Sequence, residues 1–164
     1  MATKHDEIVL RPIELVVGFD GSPSACSALE TAKNLALGRN CSITVVYVSA
    51  PTAMDSLAWE PGTPALLDAR RHNEDAISQE LQEVASSVIG AANLNWHFNH
   101  RRGTVGHELV GAADEIRADA QDRARPRIMV LVGSTDRSRD RLFGSIPHGL
   151  SRQNRYALAI VPSD

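Results

Sequence analysis

Two short stretches of the chain hold the residues best suited to chemistry. The first is Gly18-Phe19-Asp20-Gly21-Ser22. The second begins at Gly133-Ser134-Thr135-Asp136 and runs on as GSTDRSRDRLFGSIP to Pro147. Glycine lets backbone N–H groups come close to a ligand, and hydroxyls and carboxylates add side-chain partners. Arg137, Arg139 and Arg141 lie within the second stretch, and arginine forks onto phosphate. From Arg123 to Arg141 six arginines meet two aspartates, a local charge of +4 in a chain of net charge −3. Gly144-Ser145-Ile146 reads as the opening of a helix, where free N–H groups and the helix dipole favour an anion. The chemistry these residues could do is phosphate binding. A plainer reading stays open beside it. Turns between strands and helices need glycines and caps in any protein, and a basic loop is often only a solvated one.

Covalent and metal chemistry finds less support. There is no GxxxxGK[ST] segment: the only lysines are Lys4 and Lys33, and neither follows a glycine. Ser134 sits in VGSTD and Ser145 in FGSIP, so neither makes a GxSxG elbow. His97 and His100 are three apart about a strand end and so face opposite ways. With His107 they read as surface histidines and not as a zinc site. Cys26 falls among alanines on a helix and reads as packed. No catalytic residue and no metal ligand is assigned.

The elements that must position these residues follow from periodicity. Ile13–Phe19, apolar except for Glu14 and Gly18, is a buried strand. Ser42–Val48 is a second, Asn93–Asn99 a polar edge strand, Ile128–Val132 a fourth and Ala157–Val161 the last. Ser22 can cap a helix with Pro23 in its first turn. Ala25, Ala28, Leu29, Ala32, Leu35 and Ala36 then recur at helical spacing up to Gly38. A second helix ends near Gly90 with Ile77, Leu81, Val84 and Val88 on its apolar face. Val105, Leu109, Val110, Ala113 and Ile116 mark a third, and Phe143–Asn154 a fourth, with Ile146 and Leu150 on one side. Residues 50–64 read as a loop whose Met54, Leu57 and Trp59 could form a lid or, on the plainer reading, cover the core edge. Residues 120–127 are a basic connector. Residues 1–12 are an N-terminal arm, leaving 13–162 as the domain.

Strands alternating with helices predict an α/β fold, a single doubly wound, five-stranded parallel sheet of order 3-2-1-4-5. Ligands of such sheets bind beyond the carboxyl ends of the strands where the order reverses. Here that is between strands 1 and 4, whose tips are the two stretches above. The 164 residues suit one domain, 43% apolar and 23% charged. A net charge of −3 argues against nucleic acid or a membrane surface as partner. No apolar run approaches the ~20 residues of a membrane span. MATKHDEIVL lacks the apolar core of a signal peptide. With two cysteines and no CxxC, a cytoplasmic location is expected.

VVGFDGSPSA at 16–25 and GSTDRSRDRLFGSIPHGLSRQNRYALAIVP at 133–162 resemble the two ends of the universal stress protein family. VSAP at 48–51 and the helix led by Gly103 extend the resemblance to about residues 12–162. It implies an adenine-nucleotide alpha-hydrolase-like fold and a stress-response or signalling module with no enzymatic step. Nucleotide-binding members carry G-x2-G-x9-G-S/T after the fourth strand. By that resemblance Gly133, Gly144 and Ser145, with Ile146 beside them, would hold phosphate and ribose. Asp20, with Gly21, would approach the adenine and ribose end. The backbone of Val46 and Tyr47 would lie at adenine.

Two departures fall on the phosphate half: Asp136 replaces the middle glycine, and seven residues, not nine, separate it from Gly144. Arg137 and Arg139 could offset the carboxylate, or Asp136 could hold magnesium against the phosphates. ATP is the default ligand, and AMP or cyclic AMP would need fewer phosphate contacts. An interaction protein of the same fold with a degenerate pocket is the alternative. An adenylating enzyme on a related fold lacks its pyrophosphate motif here. The resemblance also implies a homodimer through the last strand, with Tyr156, Leu158 and Ile160 at the contact. That agrees with an edge strand that nothing in its sequence blunts.

Overall fold

In the computed structural model the described residues are 11–51, 63–120, 125–134 and 155–162. They form β1 (Ile13–Gly18), α1 (Pro23–Ala36), β2 (Cys41–Ser49), α2 (Thr63–Ile89), β3 (Asn95–Arg102), α3 (Val105–Asp119), β4 (Arg127–Gly133) and β5 (Ala157–Val161). The strands make one parallel sheet of order β3-β2-β1-β4-β5, the order that the alternating pattern predicts. Most of the 50–64 loop and the whole 143–154 helix lie outside the described residues. No helix among the described residues is long and apolar enough to cross a membrane.

Alternation along the strands builds two cores. Leu15, Val17, Ile43, Val45 and Leu131 face α1 and α2, where Ala28, Leu29, Ala32, Ala85 and Ile89 meet them. Val16, Val46, Val130 and Val132 face α3, where Leu109, Val110 and Ala113 close over them. Small residues on α1 let that helix lie near the sheet. Glu14 breaks the apolar run of β1 and is buried, its Oε1 accepting from the Thr44 hydroxyl of β2 at 2.7 Å. A buried carboxylate needs such a partner.

Three expectations change. Leu35 recurs at helical spacing but is 41% exposed, because the inward stripe of α1 is the alanine-rich 25, 28, 29, 32 and 36. Ile77 of α2 also turns outward, at 38% exposed. The inward stripe there runs through Glu74, Ser78 and Leu81 instead. β3 extends three residues past Asn99. Its polar end is fastened: His100 lies 3.1 Å from the Ser49 hydroxyl, and Arg101 donates to Glu108 at 2.9 Å and to Glu115 at 2.8 Å. Arg102 pairs with Glu74.

Candidate functional site

The tips of β1 and β4 stand side by side where the sheet reverses. β1 leads through α1 to β2 on one side, and β5 lies beside β4 on the other. The last β1–β4 pair is Val17↔Leu131, and the last β1–β2 pair is Gly18↔Val46. β1 ends there, at Gly18, while β2 runs on to Ser49 and β4 to Gly133.

The β1 tip is a built turn. Phe19 N–H donates to the Val46 carbonyl at 2.9 Å. Asp20 is exposed, and its Oδ1 accepts from Ser22 N–H at 3.0 Å, closing an Asx turn. Gly21 has φ +77°, which a side chain would strain, and Leu81 of α2 lies against it. Ser22 is the N-cap of α1: its hydroxyl accepts from Ala25 N–H at 3.2 Å, with Pro23 following in the first turn. Asp20 thus holds, through Oδ1, the shape of the turn that carries it past the end of β1.

The β4 tip is held from two directions. Ser134 N–H donates to the Val161 carbonyl, continuing the ladder to β5. At Gly133 an added Cβ would lie 2.4 Å from the carbonyl carbon of Ser24 and 2.6 Å from its oxygen. This glycine lets the first turn of α1 touch the end of β4, a role its place in a phosphate loop did not foretell.

Of the residues singled out in sequence, the structure brings Asp20, Gly21, Val46 and Gly133 to one end of the sheet. Val46 itself is buried and its carbonyl accepts from Phe19. In a parallel ladder the peptide groups of alternate residues turn to the same neighbour. Val48 therefore turns its N–H and C=O to the β1 side, past Phe19. Sequence reasoning passed over Val48, and counting two residues on from the last β1 partner finds it. Asp136, Arg137, Arg139, Gly144, Ser145 and Ile146 lie outside the described residues.

Other singled-out residues are placed as follows. His97 and His100 fall on opposite faces of β3, His97 exposed and His100 half-buried against the Tyr47 ring. Tyr156 precedes β5 and turns away from the edge: its hydroxyl donates to Asp114 of α3 and its ring lies 5.3 Å from the Arg117 guanidinium. Leu158 packs into the core beneath α3, and Ile160 is 49% exposed. Among the described residues no group of three or more His, Cys, Asp or Glu could hold a metal ion.

Both cysteines are free. Burial pushes the Cys26 thiol up, and the carboxylates of Asp20 and Glu30 add to that. Burial also raises Cys41, with Glu14 adding and Arg39 opposing. A raised thiol pKa leaves less thiolate at neutral pH. Both should react with a maleimide more slowly in the folded protein than in the urea-unfolded chain, as mass spectrometry over time would show. Equal rates would contradict the burial seen here.

The universal stress protein family model matches residues 14–162. A universal stress protein solved in complex with cAMP is 24% identical at TM-score 0.56, covering 94% of this chain and 100% of that one. The universal stress protein UspA from Lactobacillus plantarum is 22% identical at TM-score 0.59, covering 93% and 99%. A universal stress protein from Archaeoglobus fulgidus in complex with dAMP is 14% identical at TM-score 0.54, covering 94% and 99%. These likenesses show the fold. No curated protein matches the chain. With the family model matched from the start of β1 to the end of β5, the chain belongs to the universal stress protein family.

Proposed function

We propose that the protein binds an adenine nucleotide across the tips of β1 and β4, as a binding module with no catalytic step. The observation that carries this reading is the built Asp20 turn at the tip of β1, where the order of the sheet reverses. A purine edge needs a donor and an acceptor side by side, and the Val48 peptide groups offer that pair beyond the end of β1. The free oxygen of Asp20 suits a ribose hydroxyl or the adenine amino group. The phosphates would then run past Gly133 toward Gly144, Ser145 and Ile146, with Arg137 and Arg139 supplying charge and Asp136 the ligand for any magnesium. Two similar proteins were solved with cAMP and dAMP, which supports an adenine ligand of one phosphate at least as well as ATP. Calorimetry with ATP, AMP, cyclic AMP, adenosine and guanosine tests it. The expected result is binding of the adenine compounds and none of guanosine. Absence of all binding would favour the second reading, an interaction module with an unused pocket. That reading draws on Gly133, which packing against Ser24 explains without a ligand.

The reading includes a homodimer through β5. The two edges of the sheet differ in kind. β3 carries Asn95, His97, Asn99 and Arg101 on one face, and such polar edges resist pairing. β5 is ALAIV with Ile160 exposed. Light scattering should give a dimer at high micromolar concentration, and Ile160→Lys should give a monomer with an unchanged melting profile at low concentration. A wild-type monomer, or a dimer that Ile160→Lys leaves intact, would contradict this interface.

A further inference from the structure

β5 is an edge strand with no fully buried residue. Its sequence, ALAIV, is apolar throughout, so polarity does not decide which residues face α3 and which face α1. Strands of that kind specify their register weakly, and a one-residue slip turns every side chain to the other face. The backbone ladder does not choose either, because its bonds form equally well one residue along. The register is nevertheless defined, from Met129↔Ala157 to Gly133↔Val161. Leu158 packs beneath α3, while Ala159 and Val161 pack on the α1 side.

The same register decides what the free edge offers. Val161 turns its carbonyl to β4, where Ser134 N–H donates to it. In a parallel ladder alternate residues turn the same way. Ala157 and Ala159 therefore face β4 with Val161, and Leu158 and Ile160 present their N–H and C=O groups outward. A slip of one residue would exchange the two sets.

The two residues leading into the strand both reach one carboxylate on α3. The Tyr156 hydroxyl donates to Asp114 Oδ1, and Arg155 donates to Oδ2 at 3.0 Å. The Arg155 side chain is 54% exposed, so its ion pair adds little. Tyr156 is half-buried, with its ring against the core beneath α3 and near the Arg117 guanidinium. Those ring contacts would survive loss of Asp114 and favour the same face. They are non-directional, however, and tolerate sliding, whereas a hydrogen bond to a carboxylate on a helix fixes a distance and an angle.

We propose that the Asp114–Tyr156 pair sets the register of β5 and thereby the edge that a second copy of this chain meets, with Leu158 and Ile160 as the residues whose peptide groups bond across the contact. The inference rests on the homodimer reading above. Two copies of one edge meet about a two-fold axis. The antiparallel arrangement that uses both outward residues sets Leu158 opposite the partner's Ile160, with Ala159 at the axis.

Amide exchange by NMR and sedimentation equilibrium on the full chain test this together. On dilution of the wild type, the Leu158 and Ile160 amides should lose protection while those of Ala159 and Val161 keep theirs. In Asp114→Ala the dimer dissociation constant should rise about tenfold, the size of one hydrogen bond to a charged group. Tyr156→Phe, which keeps the ring, should raise it roughly threefold or more. Asp114→Asn, which still accepts from the phenol, should recover most of the loss. All are measured without denaturant on folded protein, so a general loss of stability would not move the dimer constant. A wild-type dimer constant in Asp114→Ala would overturn the proposal, and so would dilution that exposes Ala159 and Val161 in place of Leu158 and Ile160. If the wild type is a monomer at every concentration, the homodimer reading fails and the proposal with it. That outcome is told apart from a failed register pin because Ala159 and Val161 would still lose protection in Asp114→Ala. Should Asp114→Ala not fold, Tyr156→Phe decides: a wild-type dimer constant there overturns the proposal.

Discussion

Gly133→Ala should destabilise the protein by about 2–4 kcal/mol, a large effect for one methyl group. The new Cβ would meet the Ser24 carbonyl carbon at 2.4 Å and its oxygen at 2.6 Å. Both are backbone atoms, so no side-chain rotation relieves the contact. Either α1 must move off β4 or the end of β4 must bend away from β5, to which Ser134 is bonded. Urea unfolding measures this, and Gly106→Ala is the control. Nothing lies within 4 Å of a Cβ at Gly106, which sits inside α3. That change should be neutral or stabilising by about 0.5–1 kcal/mol, as for Gly→Ala in a helix. Equal midpoints for the two variants would show that the contact between α1 and β4 is looser than described.

Asp20→Ala should weaken ATP, AMP and adenosine alike, by about tenfold to 100-fold, the range of one hydrogen bond to a charged group. The equal effect is the sharper part. In the proposed site Asp20, at the tip of β1, meets the nucleoside, so its loss should act there and not on the phosphates. Asp20→Asn separates two roles. It keeps an acceptor for Ser22 N–H and so preserves the turn, while removing the charge and one acceptor from the crevice. Calorimetry should find the Asn variant folded and intermediate in affinity. A loss confined to ATP would move Asp20 to the phosphate end and contradict its place here.

Local patterning revealed more of the fold than of the site. Ser22 with Pro23 marked the start of α1, and the near-continuous apolar runs of Ile13–Phe19 and Ile128–Val132 marked strands covered on both faces. The strand order followed because helices between parallel strands leave few arrangements. What stayed hidden depends on partners distant in sequence. Ser24 gives Gly133 its reason, and the two are joined only by packing α1 against β4. Glu74 reads as one more exposed charge on a long helix until Arg102 of β3 is placed beneath it. Arg101 and Arg102 prolong β3 because Glu108, Glu115 and Glu74 receive them, and no period-2 apolar pattern announces that. Val48 matters through its peptide groups, which carry no sequence signal at all. Tyr156 looks like an edge residue by alternation, but its hydroxyl finds Asp114 and draws it to α3.

Native mass spectrometry of the purified protein, before and after adding AMP and GMP in equal amounts, tests adenine-nucleotide binding most directly. The expected result is a one-per-chain adenine nucleotide adduct, co-purified or acquired from AMP, absent with GMP and much reduced in Asp20→Ala. A chain that stays bare with both nucleotides, or takes up GMP as readily as AMP, would contradict a purine site built by Asp20 and the Val48 backbone.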